Sequence, residues 1–173
     1  MRLRCAIIED LRPDAQALER ALLAASAHSC RLQCTLYASG NEFLRRGALS
    51  EQDVIFLDIC MPGLDGIETA RYLRGEDPRI PIVFVTSSEE YVWDALPLHP
   101  FDYLRKPYDD ARVRKLLDDL LAALGRPEPE LELRVARQLI QVPFRRIHYA
   151  LAQNHFVSVC TDEGEHRATA TFA

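Results

Sequence analysis

Two short runs, Val54-Ile55-Phe56-Leu57 and Ile82-Val83-Phe84-Val85, are apolar at every position. A strand with one wet face alternates apolar and polar side chains, so a strand apolar throughout is covered on both faces, as inside a parallel sheet. Parallel neighbours need long crossover connections, usually helices. The flanking sequence supplies them. Leu3 to Ile8 reads as a first buried strand ending in Glu9-Asp10. Pro13 suits the first turn of a helix, and Leu18, Leu22 and Ala25 form its apolar stripe through about Ala27. Leu32, Cys34 and Leu36 alternate within a second strand, Arg31 to Tyr37, and Ser39 caps a short helix carrying Phe43 and Leu44. Pro62-Gly63 breaks the chain before a helix over Leu64 to Arg74, with Ile67 and Ala70 on one face. Glu89 to Leu96 reads as a short helix, Phe101 to Leu104 as a fifth strand, and Asp109 to Leu124 as an amphipathic helix.

Five strands alternating with five helices predict an α/β domain with a five-stranded doubly wound parallel sheet over residues 1–124. Its functional crevice is expected at the carboxyl ends of the strands. Residues 125–130, Gly-Arg-Pro-Glu-Pro-Glu, read as a linker. The pattern then changes to short strands at Leu131–Val135, Leu139–Val142, Ile147–Leu151, Phe156–Cys160 and Arg167–Thr171, a β-rich module over 131–173. That is little sequence from which to close a core.

Composition narrows the function. Of 173 residues, 48% are apolar and 27% charged, as in ordinary globular proteins. No apolar run approaches the ~20 residues of a membrane span, and no long apolar stretch follows Met1, so neither membrane nor signal peptide is expected. The net charge is −5. Residues 1–125 hold 15 basic and 20 acidic side chains and the remainder six of each, which is not the basic footprint of a self-sufficient nucleic-acid binder. Five cysteines, at 5, 30, 34, 60 and 160, include no Cys-x-x-Cys pair, and reduced thiols in a cytoplasmic protein are expected. His148, His155 and His166 lack a cysteine pair to complete a metal site.

The predicted strand ends carry the polar residues. The first ends in Glu9-Asp10, the third in Asp58, the fourth in Thr86, and the fifth is followed by Lys106-Pro107. On one rim these place three carboxylates, a hydroxyl and an ammonium together. Clustered carboxylates repel, and a hard cation such as Mg2+ resolves the repulsion through oxygen ligands while keeping sites for a phosphate. Asp58 is then a carboxylate nucleophile for phosphorus, with Lys106 and Thr86 on the phosphoryl oxygens.

These residues, with Ile55-Phe56-Leu57-Asp58-Ile59-Cys60-Met61-Pro62-Gly63-Leu64-Asp65-Gly66 around the acceptor, resemble the flavodoxin-like receiver (CheY-like) domain of two-component response regulators. The resemblance covers about residues 1–124. It implies that Asp58 is the phosphoacceptor. It implies that Glu9, Asp10, Asp58 and the backbone carbonyl of Cys60 hold Mg2+, with no role for the Cys60 thiol. It makes Thr86 the switch hydroxyl, Lys106 the phosphate-binding lysine, Pro107 a cis-proline and Tyr103 the switch aromatic, the last with an ordinary strand-edge role as its alternative. A Glu at the first acidic position departs from the more frequent Asp. The implied donor is a sensor histidine kinase, and homodimerisation on phosphorylation is a family expectation. Trp93 reads equally as a partner-facing anchor or as packing. An aspartate-nucleophile phosphatase of the haloacid dehalogenase type would need a second acid at position 60, where this chain has cysteine.

Residues 137–150 and 156–164 resemble the opening of a LytTR-type DNA-binding domain, a β-rich output module that reads DNA with loops. About half of such a module is present, so DNA is expected as a partner only of a complete module. Arg145-Arg146 reads as a phosphate contact or a solvated turn. The expected function is transcriptional regulation through that module. The alternative is a receiver with a short tail that acts by phosphorylation-dependent protein–protein contact. In neither case is an enzyme expected beyond its own phosphorylation and dephosphorylation.

Overall fold

The structure, a computed structural model, describes residues 2–27, 29–88, 90–125, 130–135, 138–143, 146–153, 156–162 and 164–169. Glu89, the linker residues 126–129, Arg137, Phe144, Arg145, His155, Glu163 and the predicted strand end at 170–171 lie outside them. The chain divides into two compact units, Met1–Ala123 and Leu124–Ala173.

The first unit alternates β1 (Arg2–Ile8), α1 (Arg12–Ser26), β2 (Arg31–Tyr37), α2 (Gly40–Arg46), β3 (Val54–Asp58), α3 (Gly66–Glu76), β4 (Ile82–Thr86), α4 (Val92–Ala95), β5 (Asp102–Arg105) and α5 (Asp110–Leu124). The strands form one parallel sheet in the order β2-β1-β3-β4-β5. β3 and β4 are buried at every position, as their unbroken apolar runs require. Side chains alternate between the two faces. Ala6, Ile8, Ile55, Leu57, Ile82 and Phe84 point one way and join Phe43 of α2 and Ile67, Ala70 and Leu73 of α3 in one core cluster. Their neighbours Cys5, Ile7, Phe56, Val83 and Val85 point the other way and are equally buried. The buried stripes of α1 (Leu18, Leu22) and α5 (Val113, Leu116, Leu117, Leu120) cover that second face.

Two helices of the first unit differ from the sequence reading for local reasons. α3 begins at Gly66 rather than Leu64, because Asp65 is its cap: the Asp65 carboxylate accepts the Glu68 N–H at 2.7 Å. The helix expected over 89–96 is α-helical only from Val92 to Ala95 and tightens into a 3-10 turn at Leu96–Leu98. Pro97 has no N–H to continue the α ladder.

The second unit contains β6 (Glu130–Val135) paired antiparallel with β7 (Gln138–Pro143), and an antiparallel sheet β10-β9-β8 built from β8 (Ile147–Gln153), β9 (Phe156–Thr161) and β10 (Gly164–Thr169). Glu130, read as the last linker residue, is thus the first residue of β6, and the last strand starts three residues before Arg167. Leu133, Val142, Val159 and Ala168 form its small core.

Candidate functional site

The sheet delivers Glu9, Asp10, Asp58, Thr86 and Lys106 to the carboxyl ends of its strands. Glu9 and Asp10 follow β1, Asp58 and Thr86 are the last residues of β3 and β4, and Lys106 follows β5. The register fixes this: Ile8 pairs with Leu57, Asp58 with Val85, and Thr86 with Arg105. Backbone bonds pin the loops. Glu9 N–H donates to the Tyr37 carbonyl at 2.9 Å, and Lys106 N–H donates to the Thr86 carbonyl at 2.8 Å. The Lys106–Pro107 peptide is cis.

Glu9 (5% exposed), Asp58 (6%) and the half-buried Asp10 bring carboxylate oxygens within 4.8 Å of one another. The Lys106 ammonium sits against them. It donates to Glu9 Oε2 at 2.6 Å, to Asp58 Oδ2 at 3.0 Å and to Asp14 Oδ2 at 3.0 Å. The other Asp58 oxygen accepts the Cys60 backbone N–H at 3.0 Å, and Glu9 Oε1 accepts the Leu11 N–H at 3.2 Å. Burial pushes the Glu9 carboxyl up to about 7 and nearby Asp58 adds to the rise, while the bond from Lys106 offsets part of it. Burial alone would lower the Lys106 ammonium, but its bonds to Glu9, Asp14 and Asp58 outweigh that and raise it. An oxygen-only donor set short of positive charge suits magnesium. Glu9 departs from the usual aspartate yet keeps an oxygen in the cluster, so the residues present fit the ion.

Thr86 is fully buried beside this cluster; its hydroxyl accepts the Ser88 N–H at 3.3 Å. The exposed Cys60 thiol lies 3.7 Å from the same hydroxyl, a contact the resemblance did not anticipate. Tyr103 is half-buried, its ring 5.9 Å from that of Phe84. It borders a cavity of about 580 Å3 with Val92, Ala95 and Leu96 of the α4 region. Trp93 borders the same cavity and is 79% exposed, so it is not a packing residue. A second cavity, about 560 Å3, opens over Asp58 between Leu11, Asp14, Cys60, Lys106 and Tyr108. Asp14 is the site residue that sequence reasoning missed. Its place in the first turn of the helix that follows Glu9-Asp10 is the sequence signal that points to it.

The conserved profile of the response regulator receiver domain matches residues 6–118. The chain belongs to the response regulator receiver family. The receiver is 32% identical over 122 residues to the transcriptional regulatory protein YpdB of Escherichia coli K12, covering 63% of this chain and 50% of that protein. Its fold matches the response regulatory domain of MrkE from Klebsiella pneumoniae with a TM-score of 0.64 at 29% identity, over 72% of this chain and all (100%) of that one. It also matches the receiver domain of a sensor histidine kinase from Pseudomonas aeruginosa that holds a magnesium ion in its active site cleft, with a TM-score of 0.58 at 26% identity, over 73% and 100% of the two chains. The chain spans half or less of the length of the first curated relatives it matches, from 21% to 50%. Among the described residues no helix is long and apolar enough to cross a membrane.

Proposed function

We propose that this receiver accepts a phosphoryl group on Asp58 from the phosphohistidine of a sensor histidine kinase in the cytoplasm. The observation that carries the reading is the Asp58 carboxylate itself. It is almost fully buried at a strand end, with one oxygen fixed by the Cys60 N–H and the other on Lys106 beside two further acids. In the transfer an Asp58 oxygen forms a bond to phosphorus. The phosphorus–nitrogen bond of the donor breaks, and its electron pair leaves on the imidazole, which takes up a proton. A magnesium ion held by Glu9, Asp10, Asp58 and the Cys60 carbonyl supplies charge neutralisation for the phosphoryl oxygens. Lys106 exchanges its bond to Asp58 for one to a phosphoryl oxygen, a charge-assisted contact. The Thr86 hydroxyl donates to another, Tyr103 follows it inward, and the equilibrium between two surface states shifts. The chain turns over no substrate beyond this phosphorylation and its reversal.

For output, residues 131–173 read as the start of a LytTR-type module, with residues 1–124 as the receiver and 125–130 as the join. Supporting this are the β-rich second unit and the likeness of the receiver to transcriptional regulators such as YpdB. DNA is then a partner of the complete module. The exposed Trp93 and Leu96 beside Tyr103 favour a second reading, in which the phosphorylated surface binds a protein, including a second copy of the chain.

Incubation of the reduced protein with acetyl phosphate and magnesium, read by intact mass, tests the first step. One phosphoryl adduct is expected, lost with chelator and absent in Asp58→Ala. An adduct of equal yield in that variant would overturn the assignment of the acceptor.

A further inference from the structure

Cys5 and Cys34 stand opposite each other in register on the parallel neighbours β1 and β2. Their side chains therefore leave the same face of the sheet, the face under α1. Their sulfurs lie 3.0 Å apart. Neighbouring strands run about 4.8 Å apart, within the roughly 4.4–6.8 Å Cα separation that a disulfide accepts, so a bond needs little backbone movement. The two thiols differ in access. Cys5 is fully buried, whereas Cys34 is half-buried on β2, the edge strand of the sheet. They also differ in acidity. The bond from the Cys5 thiol lowers Cys34, and the same bond together with burial raises Cys5. Neither belongs to the phosphoryl site; Cys5 lies four residues before Glu9.

We propose that Cys5 and Cys34 form a reversible disulfide in response to hydroperoxides, with Cys34 as the attacking thiol and Cys5 as the resolving thiol. The Cys34 thiolate attacks one oxygen of hydrogen peroxide, the O–O bond breaks, and hydroxide leaves with the electron pair and takes up a proton. Cys34 is then a sulfenic acid. The Cys5 sulfur attacks the Cys34 sulfur, the S–O bond breaks, and water leaves carrying the Cys5 proton. Two thiols are oxidised to one disulfide and one peroxide is reduced to two waters. In a reducing compartment such bonds are transient and redox-sensing rather than structural. This one joins the edge strand to β1 across a sequence separation of 29 residues, which restricts the unfolded chain and raises the melting temperature of the oxidised form.

The test uses the full chain, reduced, desalted and exposed to hydrogen peroxide, with remaining thiols blocked and the digest mapped by mass. A peptide pair joined through Cys5 and Cys34 is expected, removed by dithiothreitol. Tm should rise by roughly 5 °C on oxidation and fall back on reduction. In Cys5→Ser, Cys34 should stop at the sulfenic acid and take a dimedone adduct. In Cys34→Ser both link and adduct should vanish, leaving Cys5 as a thiol. A link from Cys34 to Cys30 or Cys60 in the native chain would overturn the proposal. So would an unreacted Cys34 under conditions that oxidise Cys60.

Discussion

The Lys106 ammonium lies 2.6 Å from Glu9 and 3.0 Å from both Asp14 and Asp58, with 17% of its side chain exposed, so one cation is shared among three carboxylates. Removing it leaves Glu9 and Asp58, with side chains 4% and 7% exposed, without an ion-pair partner among the described residues. Breaking a buried pair in this way is costly because the partner's charge stays desolvated. Lys106→Ala is therefore expected to lose about 2–3 kcal/mol in chelator, discounted from a fully buried pair because Asp14 is half-exposed. Magnesium should restore a large part of that loss, since a divalent ion answers the same carboxylates. Urea denaturation of both proteins in each condition checks this; equal losses with and without magnesium would count against a shared charge balance. The sequence makes Glu9, Asp58 and Lys106 readable, because each lies at the end of a strand whose apolar pattern is plain. It does not make the pairing of Asp14 with Lys106 readable. That contact joins residues 92 positions apart, Asp14 in the first turn of α1 and Lys106 just after β5.

At the scale of elements, the loop between β3 and α3 sets the position of Asp58. Gly63, at φ +81°, lets the chain turn where other residues are strained, and Gly66 starts α3 directly against the strand end. A Cβ on Gly66 would sit 2.2 Å from the Asp58 carbonyl oxygen and 2.6 Å from Ile59 Cα. Both obstacles are backbone, so the loop itself must move. Gly75, in the last turn of the same helix, has nothing within 4 Å of its virtual Cβ. Gly66→Ala is thus expected to cost about 2 kcal/mol or more and to slow phosphoryl uptake. Gly75→Ala should add up to about 0.5 kcal/mol through helix propensity. Opposite signs from one substitution in one helix, read by thermal melts and acetyl phosphate labelling, are the expected outcome; two losses of similar size would contradict it. The same segment shows the limits of periodicity. Ile67 and Ala70 reveal the helix, yet its start follows from the Asp65 side chain and its bond to the Glu68 N–H. The sequence reads as a short helix over 89–96, and Pro97 ends the α ladder. Local hydrogen bonding, not the hydrophobic pattern, decides both ends.

At the scale of the molecule, the two compact units differ in how much apolar surface they bury. The first closes a five-stranded sheet between two helical layers, with Phe43, Phe56 and Phe84 at 1% exposure or less. Among the described residues the second buries Leu133, Val142, Val159 and Ala168, with Leu131, Val135, Ile140, Ile147 and Val157 partly covered. Small cores of this kind supply only a few kcal/mol before conformational entropy is charged against them. On the face of the β10-β9-β8 sheet away from this core, Tyr149, Leu151 and Phe156 remain 39–55% exposed, so that surface contributes little. The units should therefore lose structure separately rather than in one transition. Hydrogen exchange of the full chain across a urea series resolves them. Amides of β8 and β9 are expected to lose protection at roughly 1–2 M less urea than those of β1, β3 and β4. Phosphoryl acceptance should survive that first loss, because Glu9, Asp10, Asp58, Thr86 and Lys106 all belong to the first unit. Simultaneous loss of protection in both units, or loss of labelling together with β8 and β9, would show that the second unit supports the receiver and that the site depends on more than its own sheet.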